Sequence, residues 1–248
     1  MTPAVTEKDY RIHSYEVDYK KKALITSLMN YLDDIAILQS EELGVGLEYL
    51  TKNNIAWVLY KWDVKINQYP VYNENVKVRT AAESFNKFYA YRWFEVLNQN
   101  GDKLVTANSI WLLINTKKRK PIRIFKNLYD TYGVEDKKNT LEIMDIQPLT
   151  SIDVQKEFDV RYSDIDTNGH VNNVKYITWA MESVPVAILS NYSITGIKVT
   201  YKKETKYGDT VKTQTQVLSN GDKITSLHKI INKKNVDLCL LEIVWEKR

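Results

Sequence analysis

Apolar side chains at Leu28, Leu32, Ile35, Ala36 and Leu43 recur at helical spacing, with Gln39 as a polar interruption, and Gly44 supplies a stop. Stretches rich in alternating and β-branched residues follow at 55–66, 76–81, 88–97 and 104–115, and these predict strands. The pattern then returns. Val171, Val174, Thr178 and Met181 mark a second helix that ends near Pro185. Strand patterns follow it at 196–203, 210–217, 224–231 and 236–245, separated by turn signals at Tyr207-Gly208-Asp209 and Asn220-Gly221-Asp222.

Local matches support a repeat. Asp102 and Asp237, each leading a strand pattern that runs to a Trp, are 135 residues apart. The same offset pairs Tyr72–Lys77 (YNENVK) with Tyr207–Lys212 (YGDTVK). Two stretches at one spacing predict a duplicated unit. One helix followed by several antiparallel strands is an α+β unit, with the sheet curled round its helix to bury both. The polar, Pro148-containing stretch at 135–153 reads as a linker between an N-terminal domain at 1–134 and a C-terminal domain at 154–248.

Composition narrows the chemistry. With 35 Lys and Arg against 31 Asp and Glu, the net charge is +4, too small to suggest nucleic-acid binding in the absence of a binding motif. The single cysteine, Cys239, excludes an intrachain disulfide and a cysteine-based zinc site, and suits a reducing, cytoplasmic compartment. The first ten residues carry no apolar signal core, and the apolar runs at 110–114 and 184–189 fall far short of the roughly 18 residues of a membrane span. No GxGxxG or GxxxxGK[ST] occurs, which excludes nucleotide chemistry through those loops.

The densest polar cluster is the run RYSDIDTNGHVNN at 161–173, just before the second helix. Asp166, Asn168 and His170 alternate within it, and Gly169 permits a positive φ. One reading is a turn followed by an Asn cap. The other is chemical. The N–H groups at a helix start suit the oxyanion of acyl transfer, His170 can move a proton, Asn168 can orient water and Asp166 can hold the loop. The 135-offset positions in the first half are Tyr31, Asp33 and Ile35, so the first copy is expected to lack the set.

The run 164–185, DIDTNGHVNNVKYITWAMESVP, resembles the acyl-acyl-carrier-protein (acyl-ACP) thioesterases of plants and bacteria. Ser14-Tyr15-Glu16-Val17, Leu28-Met29-Asn30-Tyr31-Leu32, Ile55-Ala56-Trp57-Val58, Gln68-Tyr69-Pro70 and Tyr201-Lys202-Lys203-Glu204 extend the resemblance over residues 10–246. The resemblance implies a tandem hotdog fold. It also implies hydrolysis of fatty acyl-ACP to free fatty acid and carrier protein, without metal, nucleotide or other cofactor. Asp166, Asn168, His170 and Glu204 match the family's catalytic set, with Glu204 as base or nucleophile. Thr205 stands where plant members commonly carry Cys, and Gly169 replaces a bulkier residue. Strict alternation, by contrast, puts Glu204 on a Lys-rich polar face with Lys198, Thr200 and Lys202. A bulge near Lys203, or a strand end facing the partner helix, is needed for Glu204 to take part in catalysis.

On this reading water attacks the acyl carbon, Glu204 takes its proton with help from His170, and N–H groups near 170–172 hold the oxyanion. Met29, Ile35 and Trp57 are candidates for an acyl slot and equally for plain core. Lys20-Lys21-Lys22, Lys117-Lys118-Arg119-Lys120, Lys202-Lys203 and Lys233-Lys234 offer basic surface to an acidic carrier protein. A monomer or a homodimer fits. An acyl-CoA thioesterase with Asp166 as base, and a non-catalytic acyl-binding module, are the alternatives.

Overall fold

A computed structural model describes residues 3–135, 141 and 143–247. Within the expected linker, positions 136–140 and 142 therefore lie outside the described residues. The chain divides into two units, Met1–Ile143 and Met144–Arg248.

In the first unit, β1 (Val5–Arg11) leads to helix α1 (Ile25–Glu42), the short α2 (Leu47–Lys52) and strands β2 (Ile55–Ile66), β3 (Asn75–Asn86), β4 (Tyr89–Leu97) and β5 (Lys103–Asn115). A two-residue strand β6 (Lys120–Pro121) and helix α3 (Lys126–Tyr132) follow. The strands pair antiparallel in the order β1-β3-β4-β5-β2, with β6 on β5. Helix α1 packs on β1 and β3. Its predicted stripe is the core face: Leu28, Leu32 and Ile35 are wholly buried, as is Gln39, whose amide reaches the Ala4 carbonyl at 2.8 Å. Gly44 ends the helix as expected, at φ +70°, with its N–H on the Glu41 carbonyl. Met29 and Ile35 lie in the helix–sheet core, while Trp57 packs at 5.9 Å from Phe85 in a neighbouring cluster that also takes in Leu128 and Tyr132 of α3.

The second unit repeats this plan. It runs β7 (Val154–Asp159), α4 (Asn173–Glu182), the short α5 (Val186–Asn191), β8 (Tyr192–Tyr201), β9 (Thr210–Asn220), β10 (Lys223–Asn232) and β11 (Asp237–Lys247). Its strand order, β8-β11-β10-β9-β7, is that of β2-β5-β4-β3-β1. The match reaches single residues. Each unit carries one extra residue in the strand after the helices, Tyr60 in β2 and Thr195 in β8, and these two are 135 residues apart. Helix α4 packs on β9, β10 and β11. Val174, Ile177 and Ala180 are buried on it, with Val199, Leu227, Leu241 and Trp245 buried on the strands. The architecture is thus α+β and tandem hotdog, one helix against one antiparallel sheet, twice.

A histidine lies within the second core. His228 is fully buried, its Nδ1 2.9 Å from Thr215 Oγ1 and its Nε2 2.9 Å from Ser226 Oγ, which also accepts from Trp245 Nε1. Burial drives its pKa down to about 3, so it stays neutral and structural.

Candidate active site

Everything predicted to be chemical in the second half converges on the loop before α4. Its base is Asp164, wholly buried at the end of a 3₁₀ turn (Tyr162–Asp164). Desolvation pushes that carboxyl up. Hydrogen bonds from the Arg161 side chain and backbone N–H, and the charges of Arg161 and Lys175, outweigh it and hold the group below the usual carboxylate range. The Asp164 carbonyl also accepts the Asn172 N–H at 2.8 Å, so one residue ties both ends of the loop.

Inside the loop, Asp166 Oδ1 accepts the N–H of Asn168 at 2.8 Å and of His170 at 3.3 Å. Its own N–H donates to the His170 carbonyl at 2.8 Å. Gly169 sits at φ +77° with open space where a Cβ would be, so it is the backbone, and not crowding, that favours glycine there. Asn172 then caps α4, accepting the Val174 N–H on its side chain. The helix therefore starts at Asn173, and Val171 belongs instead to a short antiparallel bridge with Ile165.

Glu204 arrives from the other side. Strand β8 ends at Tyr201, and the N–H groups of both Lys202 and Lys203 donate to a single carbonyl, that of Leu238, at 2.8 and 3.1 Å. Two donors on one acceptor mark a bulge, which breaks the alternation that would have put Glu204 on the Lys-bearing face. Beyond it, Glu204 Oε2 lies 3.2 Å from His170 Nε2. The His170 side chain is 34% exposed and that of Glu204 43%, so the pair is open to water yet half sheltered. The Asn168 side chain is exposed and hydrogen-bonds to none of the described residues, which leaves its amide available to a ligand or water.

One sequence expectation is corrected here. The N–H groups of His170, Val171 and Asn172 are already taken, by Asp166 Oδ1, the Thr205 carbonyl and the Asp164 carbonyl. They build the loop and do not face an oxyanion. The Asn168 carboxamide carries a donor that no described residue takes up.

The first unit carries the same scaffold, at a different place from the 135-offset positions. Asp18 Oδ1 accepts the N–H of Lys20 at 2.8 Å and of Lys22 at 3.0 Å, as Asp166 does for Asn168 and His170. Lys21 holds the left-handed position of Gly169 at φ +62°, Val17 bridges to Ala23, and the Ala23 N–H donates to the Pro70 carbonyl as Val171 does to Thr205. Asn67 and Gln68 repeat the bulge on the Leu104 carbonyl. The twin of Glu204 is then Tyr69. The first copy keeps the holding Asp and replaces Asn, His and Glu by Lys, Lys and Tyr.

Sequence reasoning gave Asp164 no role and noted Thr205 only for the cysteine it replaces, although Arg161 three residues before an aspartate was a local pointer to the first. The lone cysteine takes no part: Cys239 is buried, and desolvation raises its thiol well above the ordinary range. Among the described residues no group of three or more His, Cys, Asp or Glu side chains is placed to hold a metal ion.

Comparison with known proteins decides the family. The family model for the acyl-ACP thioesterase N-terminal domain matches residues 3–132, and that for its C-terminal domain matches residues 149–247. The chain belongs to the acyl-ACP thioesterase family. A chloroplastic acyl-(acyl-carrier-protein) hydrolase of Cuphea viscosissima is 27% identical over 98% of this chain, and a chloroplastic palmitoyl-acyl carrier protein thioesterase of Gossypium hirsutum is 31% identical over 81% of it. The chain spans 62% and 52% of the length of those two relatives. Among solved structures, a Lactobacillus plantarum protein assigned as an oleoyl thioesterase superposes with a TM-score of 0.94, at 27% identity over 99% of this chain and 97% of that one. The two matched domains of the acyl-ACP thioesterase family coincide with the two repeats, and the His170–Glu204 pair falls in the C-terminal one.

Proposed function

We propose that this chain hydrolyses the thioester between a fatty acyl group and acyl carrier protein, releasing the free acid and the carrier thiol. The observation that carries the reading is the 3.2 Å approach of His170 Nε2 to Glu204 Oε2 beside the capped start of α4, in a chain of this family. Glu204 takes a proton from water as the water oxygen attacks the acyl carbon. The C–S bond breaks, and the leaving sulfur takes up a proton. His170 holds and polarises the carboxylate and water, Asn168 donates to the developing oxyanion or orients the water, and Asp166 keeps Asn168 and His170 in place. Neither metal nor cofactor is required by this chemistry. The compartment proposed is the cytoplasm, in keeping with the single buried free cysteine, although the plant relatives are chloroplastic.

The test is release of free acid and thiol from acyl-ACP, compared with acyl-CoA and an acyl-pantetheine. Hydrolysis with the highest kcat/KM on acyl-ACP is expected. Equal or better use of acyl-CoA would remove the carrier-protein assignment, and no thiol release from any of the three would remove hydrolysis altogether.

A further inference from the structure

Thr205 follows Glu204 directly and is buried. Its carbonyl accepts the N–H of Val171, the residue after His170, at 3.0 Å. One backbone bond therefore joins the neighbours of the two groups that meet at 3.2 Å. The Thr205 hydroxyl donates to Asp209 Oδ2 at 2.7 Å. The same oxygen accepts the Lys206 N–H at 3.1 Å, and the Asp209 N–H returns to the Lys206 carbonyl. The Asp209 carbonyl in turn accepts the Val160 N–H at 2.9 Å, just past the end of β7. The segment that carries Glu204 is thus tied to the sheet edge through Asp209, which takes both the Thr205 hydroxyl and the Lys206 N–H.

The first unit shows what the turn needs without the pair. There Pro70 stands for Thr205 and Glu74 for Asp209. Pro70 accepts the Ala23 N–H at 2.8 Å, and Glu74 Oε2 accepts the Val71 N–H at 2.9 Å, matching Lys206 on Asp209. Every backbone feature of the turn is present, and the side-chain hydroxyl bond is missing. It is missing in the copy whose histidine and glutamate positions hold Lys22 and Tyr69. The turn therefore forms without the hydroxyl, and the hydroxyl accompanies the His–Glu pair.

We infer that Thr205 is a positioning residue for the reaction, its hydroxyl bond to Asp209 fixing the Glu204 backbone so that the carboxylate stays on His170. The inference rests on the hydrolytic reading above. It assigns the position a role that needs no nucleophile, since a threonine hydroxyl committed to a carboxylate is a donor.

The test is a kinetic series on the full chain with acyl-ACP: Thr205→Val, Thr205→Ser and Glu204→Gln, each with its melting temperature. Valine keeps the shape and loses the donor. Thr205→Val should lower kcat about tenfold with KM and melting temperature near wild type, because a misplaced base slows chemistry without weakening binding. Thr205→Ser should restore kcat. If Thr205→Val destabilises the fold, Asp209→Ala, which removes the acceptor and leaves Thr205 in place, provides the second test: its kcat should fall about tenfold with KM near wild type, and wild-type kcat there would overturn the role. Wild-type kcat in Thr205→Val, or equal losses in the valine and serine variants, would overturn the positioning role. Glu204→Gln separates the two claims: full activity there removes the hydrolytic site itself, whereas its loss together with an unaffected Thr205→Val removes only this inference.

Discussion

Asp166 and Glu204 are both carboxylates beside His170, and substitution distinguishes a holder from a base. Asp166 Oδ1 accepts two backbone N–H bonds, at 2.8 and 3.3 Å, in an exposed loop. An asparagine keeps an acceptor in that place and loses only the charge assistance, a difference of about 1 kcal/mol. If that loss fell wholly on the transition state, kcat would drop about fivefold. Alanine removes both bonds. The freed N–H groups can turn to water, so the loop should loosen at a cost of about 1–3 kcal/mol, and kcat should fall further as His170 loses its place. Were Asp166 instead the base that deprotonates water, asparagine would be nearly as damaging as alanine, at about 10²- to 10⁴-fold. Steady-state kinetics on acyl-ACP for Asp166→Asn and Asp166→Ala, with thermal melts on both, decide the matter. A collapse of kcat in Asp166→Asn at unchanged melting temperature refutes the holding role.

Acid should unfold the second unit through His228. Its folded pKa of about 3 lies below the ordinary value of 6.5, so the unfolded chain takes up the proton first. Stability from this group is complete above pH 6.5 and is lost as pH falls toward 3, at up to about 1.4 kcal/mol per pH unit. Denaturant melts at pH 7, 6, 5 and 4 read this slope, and a flat profile would contradict the buried neutral imidazole. Removing the α4 cap with Asn172→Ala should cost about 1 kcal/mol of stability, seen as a lower melting temperature, and no loss would mean the cap bond is not formed. If the proposed carrier protein is acidic and meets exposed lysines such as Lys203 and Lys206, salt should weaken kcat/KM on acyl-ACP more than on an acyl-pantetheine. Equal salt sensitivity on both substrates would count against charge-guided docking.

The strands with one buried face were readable. The stretch 55–66 appears in the structure as β2 at its expected bounds, because its alternation answers to a core on one side. The strands β1 (VTEKDYR) and β7 (VQKEFD) escaped, since they sit at sheet edges with charged residues and little buried side chain. Helices α3 and α5, of seven and six residues, were too short for a period to show. Asp166 and His170 were legible because an Asx loop before a helix has a local signature. Glu204 was not. It lies past a bulge where alternation stops governing direction, and only the family resemblance drew it in. The first-unit counterpart of the loop was sought at the wrong place. Helix α1 has 18 residues where α4 has 10, and the stretch from helix end to strand is also longer in the first unit, so Asp18 and Asp166 stand 148 apart while the strands stay 135 apart. A lengthened helix shifts everything before it, and no single offset can recover both.

The central claim is that the carboxylate of Glu204, held against His170, activates the water that cleaves the thioester. The direct measurement is kcat on acyl-ACP for Glu204→Gln, a change that keeps size and hydrogen-bonding capacity and removes the base. Because the side chain is 43% exposed and its ion pair contributes little to folding, the variant should melt within a few degrees of wild type. Its kcat should fall by about 10²- to 10⁴-fold with KM little changed. A Glu204→Gln enzyme that turns over at the wild-type rate would contradict the account.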